Sequence, residues 1–451
     1  MAEFTIDEVC LATKGKVCSE PCSEKFIGIC TDTRKVKSGD LFIPLVGETF
    51  DGHDFIDQAV KNGAKGILSS RPDIVVPSNI ILIMVDDTLM ALQGLARFHR
   101  QRFTIPIIAI TGSNGKTTTK DMTAAILSSQ LNVLKTEANY NNEIGLPLTL
   151  LQLTEQHEVA VVEMGMRGAG QIRQLARIAL PTIAIITNVG ETHIELLGSI
   201  EAIAAAKAEL LEVIPANGLT ILNADDHYVR EMAKQVRSRV TLFGLEQGNI
   251  KADQIQNNIQ GMDFECHSAQ GEFSIHVPTI GKHNIYNALA AIAAGLEVGL
   301  TAEDISCGLR TFNASPMRLH VEAMGDYIII NDAYNASPMS MTAAIDTLVE
   351  VAKGRKVVVL GDMLELGDIG AAAHRQIGEK LAQCRIDIVV TVGMLASYTA
   401  QAAIDGGIAA VACYSHNEAS EALKKLIKPS DTILIKGSRG MKMENMVKMF
   451  L

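Results

Sequence analysis

Ile107-Ile108-Ala109-Ile110-Thr111-Gly112-Ser113-Asn114-Gly115-Lys116-Thr117-Thr118-Thr119 is the stretch on which the fold turns. A short apolar strand enters a glycine-rich turn, and Lys-Thr opens a helix. Backbone N–H groups in such a turn point inward and cradle phosphate oxygens. Lys116 would reach the terminal phosphates, and the Thr117 hydroxyl would face Mg²⁺. Gly, Gly, Lys and Thr all fall at working offsets after a strand, which favours a phosphate cradle over an ordinary strand–turn–helix corner. The usual P-loop has a glycine five residues before Gly115; here that residue is Ile110. The motif marks a user of nucleoside triphosphates, with Thr111, Gly112, Ser113, Asn114, Gly115, Lys116, Thr117 and Thr118 as its candidate nucleotide-binding residues.

Downstream, Val159-Ala160-Val161-Val162-Glu163 and Ile183-Ala184-Ile185-Ile186-Thr187-Asn188 are near-continuous apolar runs. Strands buried on both faces of a parallel sheet look like this. Helices between them predict an α/β, doubly wound parallel sheet. Upstream, short strands around residues 40–45, 66–68 and 80–83 and a helix from Leu89 to Arg100 form a small α/β unit, with a boundary near Thr104-Ile105-Pro106. After Ser315-Pro316 a second alternation begins, with strands at 327–332, 356–362, 386–390 and 432–436. It reads as a third, Rossmann-like domain without a GxGxxG dinucleotide signature.

With 451 residues the chain is too long for one core. Lys+Arg 40 against Asp+Glu 51 gives a net charge of −11, and aromatics are 4% with no Trp. That balance argues against a nucleic-acid platform, so local donors must hold any phosphate. The eight cysteines form no CxxC pair or zinc spacing and read as reduced thiols. The N-terminus lacks the basic and apolar stretches of a secretory signal, and the longest apolar candidate, Ile178 to Gly190, is short and holds Pro181. A cytoplasmic protein with no membrane span is expected.

Several residues at strand and helix ends suit chemistry. Glu163 ends a buried strand beside the P-loop strand, as a Mg²⁺ ligand or as a solvated strand-end carboxylate. His193 follows the next strand and fits either a metal or a structural role. Lys207 lies on the apolar stripe of a helix expected from Ser199 to Ile214, four residues from Ile203 and three from Leu210. It either snorkels to water or is buried with a depressed pKa, and a neutral amine can take up CO₂ as an anionic carbamate. Asn284 and Asn287 share one face at a helix start, where their amides suit the edge of adenine; helix capping by Asn284 is the alternative. Asn331-Asp332-Ala333-Tyr334-Asn335 clusters polar groups at a strand's carboxyl end, as a ligand site or as a plain turn. Arg318 either binds phosphate or is an isolated surface residue.

These motifs converge in order along the whole chain. Thr-Gly-Ser-Asn-Gly-Lys-Thr, Glu163-Met-Gly, Asn188-Val-Gly-x-x-His193, Lys207-Ala-Glu209, His283-Asn-x-x-Asn287-Ala288 and Asn331-Asp-Ala-Tyr-Asn resemble the Mur ligase family. Asn139-Tyr-Asn141-Asn142-Glu143-Ile144-Gly145-Leu-Pro147, the stretch Gly361-Asp362-Met363-Leu364-Glu365-Leu366-Gly367 and Lys436-Gly437-Ser438-Arg439 are similar to its D-alanyl-D-alanine-adding branch. Asp32-Thr33-Arg34 and Phe50-Asp51-Gly52-His53-Asp54-Phe55 are similar to that branch's UDP-muramyl-binding domain. One departure is Ala138, where the resemblance leads one to expect glycine.

The resemblance implies three domains: residues 1–103 binding the UDP-muramyl peptide, 104–314 binding ATP, and 315–451 closing over ATP and taking the incoming dipeptide. It implies ATP-driven joining of D-alanyl-D-alanine to a UDP-N-acetylmuramoyl-tripeptide through an acyl phosphate, by a monomer. Lys116, Glu163, His193 and Lys207 would be catalytic. Two Mg²⁺ ions would be held by Thr117, Glu163, His193 and carbamylated Lys207. His283, Asn284, Asn287, Arg318, Asp332 and Tyr334 would contact ATP. Asp32, Thr33, Arg34, Asn139, Asn141, Asn142, Asn335, Lys436, Ser438 and Arg439 would bind substrate. A hinge near Asn313 to Pro316 is implied. The alternatives are another amino-acid-adding ligase of the superfamily, on muramyl peptide or folate, and a P-loop ATPase without ligase activity.

Overall fold

The computed structural model describes residues 2–19 and 25–450. Cys22 lies outside them, and the other seven cysteines are free thiols. No helix among the described residues is long and apolar enough to cross a membrane.

Three large sheets follow one another along the chain. The first has five strands, in the order Lys16–Val17, Ile81–Met84, Gly66–Ser69, Asp40–Phe42 and Gly28–Cys30. The helix Thr88–Arg100, capped by Asp87 Oδ1 on the Met90 N–H at 2.8 Å, leads away from it.

The central sheet has nine strands, with Ile107–Thr111 between Ile183–Ile186 and Val159–Glu163. Ile108 and Ile110 face one apolar layer and Ile107 and Ala109 the other. Burial on both faces is why these strands read as unbroken apolar runs. The expectation of a purely parallel sheet is corrected at one edge. There Ile250–Asn258, Gly261–Ser268 and Gly271–Val277 form an antiparallel meander. Ile250–Asn258 is mostly polar and exposed, so neither an apolar run nor a clean alternation announces it.

The third sheet runs His320–Met324, Tyr327–Asp332, Thr432–Lys436, Lys356–Gly361, Ile388–Val392 and Ala409–Cys413, parallel except for its first strand. The chain leaves a gap after Tyr327–Asp332 and fills it last with Thr432–Lys436. Asp332 and Lys436 therefore sit side by side at the strands' carboxyl ends, where open α/β sheets bind ligands.

One helix boundary also differs from expectation. The helix carrying Lys207 spans Ile200–Ala208, capped by Ser199, and residues 209–213 beyond it are turns.

Candidate active site

The carboxyl ends of the central and third sheets face each other across a cavity of about 930 Å³. From the central domain it is lined by Ser113 to Thr118, Glu163, Asn188 and His193; from the third domain by Arg318, Asp332, Tyr334, Asn335 and Lys436.

Two glycines shape the loop. Gly112 has φ +150°, and a Cβ there would stand 1.9 Å from Thr187 Oγ1. Gly115 has φ +82°, and its Cβ would meet Asn287 Oδ1 at 2.3 Å. Neither position accepts a side chain without moving a buried neighbour. Residues just past the neighbouring strand Ile183–Ile186 fix it from behind. Asn188 Oδ1 accepts from the Asn114 N–H at 2.8 Å, and Thr187 Oγ1 donates to the Asn114 carbonyl at 2.6 Å. Lys116 opens the helix Lys116–Leu127 and donates to the Gly112 and Ser113 carbonyls at 2.8 and 3.1 Å. Burial pushes its ammonium below the ordinary lysine value, opposed by Glu163 and reinforced by Arg318.

Glu163 ends its strand pointing inward, which settles against the solvated alternative: the residue is 2% exposed. Its Oε1 accepts from Asn141 Nδ2 at 2.7 Å, whereas Oε2 is buried without a partner. An orphaned carboxylate oxygen beside a buried threonine hydroxyl and a phosphate cradle fits a divalent cation, since Mg²⁺ takes oxygen ligands and shares them with phosphates. Among the described residues no three His, Cys, Asp or Glu side chains converge as a ready metal site. Hydroxyl, phosphate and water oxygens would complete the shell.

Lys207 does not snorkel. It is 2% exposed. Burial and the nearby Lys116 hold its amine well below the ordinary value. The short helix ends one residue later, at Ala208.

His193, at φ +61°, starts the short helix Ile194–Leu197, and its Nδ1 lies 2.5 Å from Glu365 Oε2. Burial lowers its pKa against the pull of that carboxylate.

Asn284 is inside the helix His283–Val298 rather than capping it, and donates to the Ile280 carbonyl at 2.8 Å. Asn287 Nδ2 donates to Asn284 Oδ1 at 2.9 Å, and Asn287 Oδ1 accepts from Thr119 Oγ1 at 3.1 Å. Both amides line the cavity with much of their bonding capacity already used. His283 lies near Asp332 and Lys436, and burial takes it down to about 4. Arg318 is not an isolated surface residue: its guanidinium stacks 4.1 Å above the Tyr334 ring. Lys436 Nζ reaches Asp332 Oδ2 and the Asn335 carbonyl.

Other expected site residues fall outside the cavity lining. Thr111 Oγ1 donates to the Met164 carbonyl, tying two strands together. Asn139 is exposed beside it in sequence to Ala138, which has φ +48°. Asn142 does line the cavity, and its Oδ1 accepts from the Gly145 N–H at 2.8 Å. Ser438 Oγ accepts from the Leu364 N–H, and Arg439 pairs with Glu444. Asp32, Thr33 and Arg34 form a turn in the first domain, where Arg34 holds the Asp32 carboxyl down to about 2.

The sequence reading missed one corner of the cavity, made by Asn223, Asp225, Phe243 and Tyr286. Asp225 Oδ2 accepts from the Leu245 N–H at 2.6 Å and from Tyr286 Oη at 3.0 Å. Its signal was available: Asn223-Ala224-Asp225-Asp226 closes another parallel strand. Arg167, which also lines the cavity, stands in a loop with no such cue.

Against known proteins, residues 110–295 match the Mur ligase middle domain, 317–439 the Mur ligase glutamate ligase domain, and 25–100 the Mur ligase family catalytic domain. A Bacillus subtilis protein described as UDP-N-acetylmuramoyl-tripeptide–D-alanyl-D-alanine ligase is 41% identical over 99% of this chain and 98% of its own. The Escherichia coli protein of the same description is 39% identical over 93% and 92%. A crystal structure of MurF from Acinetobacter baumannii superposes with a TM-score of 0.93 at 34% identity, covering 100% of this chain and 99% of that one. MurF ligase from Thermotoga maritima in complex with ADP gives 0.85 at 28%, covering 94% and 96%. The chain belongs to the Mur ligase family.

Proposed function

We propose that this chain is an ATP-dependent ligase that joins D-alanyl-D-alanine to a UDP-N-acetylmuramoyl-tripeptide. The observation that carries it is the shared cavity: a phosphate cradle in the central domain faces Arg318, Asp332 and Lys436 of the third. A plain ATPase does not need a second domain's charges on that cradle. The described relatives and the ADP-bound neighbour support the choice of reaction.

The chemistry must bring two anions together. The tripeptide's terminal carboxylate attacks the γ-phosphorus of ATP, giving an acyl phosphate and ADP. The dipeptide's amine then attacks the acyl carbon, and loss of phosphate leaves the amide. Lys116 and Arg318 offset charge on the transferring phosphoryl group, which is where preorganised donors contribute most. Mg²⁺, when bound, lowers the repulsion between phosphoryl oxygens and the incoming carboxylate. Thr117 and Glu163 would hold one ion, and His193 with a Lys207 carbamate a second. The carbamate forms as the neutral Lys207 amine adds to CO₂ and releases a proton. Burial and the nearby Lys116 lower the amine's pKa, which favours the neutral form that reacts. Asn141, which bonds Glu163, and Asn142 line the acceptor side, and Asn335 and Lys436 the dipeptide side. The turn at Asp32 to Arg34 would receive the UDP-muramyl portion. His283, Asn284, Asn287 and Tyr334 would face the nucleoside. The third domain, hinged near 313–316, closes to keep water from the acyl phosphate.

The test is phosphate release from Mg-ATP with UDP-muramyl-tripeptide, with and without D-alanyl-D-alanine, together with the product mass. Release requiring both substrates and a product heavier by one dipeptide residue is expected. Release indifferent to the dipeptide, with no new amide, would leave a bare ATPase. Lys116→Ala should cost about 10²–10³-fold in kcat. In ¹³C-bicarbonate the wild type should give a carbamate resonance that Lys207→Ala lacks.

A further inference from the structure

Glu365 stands outside the cavity, in the third-domain loop after the strand Lys356–Gly361, yet its polar contacts all go to the central domain. Its Oε2 meets His193 Nδ1 at 2.5 Å, its Oε1 accepts from Arg167 Nη2 at 2.9 Å, and its carbonyl accepts from the Glu195 N–H at 3.3 Å. The backbones on both sides of this contact are unusual. Glu365 has φ +62° and His193 φ +61°, a left-handed region that non-glycine residues enter at a cost of about 1–2 kcal/mol. Such conformations persist where the surroundings over-determine them, and they cluster at working sites. Around the pair the two domains interlock. A Cβ on Gly367 would come 3.3 Å from Glu195 Cγ, and Ile194 packs against the third domain's core.

A carboxylate only accepts hydrogen bonds, so the proton of a neutral His193 sits on Nδ1. The lone pair is then left on Nε2, the nitrogen free to serve the cavity that His193 lines. Outer carboxylates that fix a ligating histidine in this way set its tautomer and ring orientation. From this geometry we propose that Glu365 is a positioning residue, supplied by the third domain, that sets the His193 tautomer for cation binding in the central domain. Domain docking and completion of the cation site become one event, because the third domain carries the group that orients a central-domain ligand. This rests on the reading of His193 as a metal-side residue, and it is independent of which amine the enzyme joins.

The test uses the full-length protein in its ADP complex, with Mn²⁺ as the probe ion. Free Mn²⁺ is read by electron paramagnetic resonance for wild type, Glu365→Ala, His193→Ala and the double variant. Glu365→Ala should weaken Mn²⁺ binding about tenfold, and the double variant should bind no worse than His193→Ala alone. Imidazole ¹⁵N spectra of the Mg-ADP complex should show His193 protonated at Nδ1 in wild type and not in Glu365→Ala. Glu365→Gln retains an oxygen that accepts from Nδ1–H, so it should recover part of both signals; a clamp acting by charge alone would recover neither. Mn²⁺ affinity within twofold of wild type in Glu365→Ala, additive losses in the double variant, or an unchanged tautomer would each overturn the proposal. Because no peptide substrate is present, failure of the ligase assignment would leave these results standing, and their failure would leave the ligase assignment standing.

Discussion

The two junctions between domains are built from different materials. Between the first and central domains the interface is a continuous core: Leu92, Leu95 and Ala96 of the helix Thr88–Arg100 pack in one cluster with Leu146, Leu150, Ile172, Leu175 and Ala176. Arg100, 5% exposed, staples it by donating to the carbonyls of Ala179 at 3.0 Å, Phe103 at 2.6 Å and Ile105 at 3.2 Å. Gln93 adds bonds to the Glu143 carbonyl and to Gln174. Between the central and third domains polar contacts are prominent, Glu365 with His193 and Arg167, Ser337 Oγ with Asn114 Oδ1, Asn257 with Glu350, and Ser315 Oγ with Asp121 Oδ2 at 2.6 Å, while the apolar share is small, Ile194 and Ile280 against the third domain's core. An apolar core loses heavily on opening because its surface returns to water. Polar contacts exchange for water at a small net cost. The first junction is therefore the costlier to open, which is why the proposed closure over the nucleotide is assigned to the second.

Breaking the rigid junction should have the largest effect. Arg100→Ala strands several buried carbonyls and should cost about 3 kcal/mol of unfolding free energy, read from the denaturant midpoint. A change within experimental error would mean the junction does not depend on its staple.

A pH effect should come next, at the junction of the central and third domains. His283 faces Asp332 and Lys436, and its folded pKa of about 4 lies below the ordinary 6.5. The unfolded chain binds this proton first, so stability is fully present above 6.5 and falls as pH drops from 6.5 towards 4. Relative to His283→Gln, the wild type should lose about 2–3 kcal/mol over that window. Parallel pH curves for the two proteins would count against a neutral, half-buried His283.

Ser315→Ala should sharpen the contrast with Arg100. It removes one hydrogen bond and should change unfolding free energy by about 1 kcal/mol or less. Yet small-angle scattering should show a larger share of open molecules. The smallest effect is expected at Ala138→Gly. Glycine relieves the left-handed backbone at φ +48° but adds unfolded-state entropy, and the two terms of about 1 kcal/mol nearly cancel.

What the sequence revealed follows the same division between local and long-range. The phosphate loop was legible because its glycine, lysine and threonine offsets are local chemistry. Glu163 was legible as a strand-end carboxylate, although only the packed fold shows that one of its oxygens lacks a partner. Lys207 could not be resolved from its helical stripe, because burial depends on what covers it and the helix ends at Ala208. The pairing of His193 with Glu365 spans 172 residues and two domains, and no periodicity reports such a contact. Asn284 looked like a cap because it stands one residue after the helix start, where its short amide suits either role. The polar strand Ile250–Asn258 left no signature because its pairing, and not its burial pattern, makes it a strand.

The most direct measurement is electron–electron resonance between spin labels across each junction, at exposed Lys61 with Arg177 and at Arg177 with Glu421, with and without a non-hydrolysable ATP analogue and UDP-muramyl-tripeptide. The Lys61–Arg177 distance should stay constant while the Arg177–Glu421 distribution narrows and shortens on binding. A change in the first distance as large as in the second, or no change in either, would contradict a rigid pair of domains served by one moving third domain.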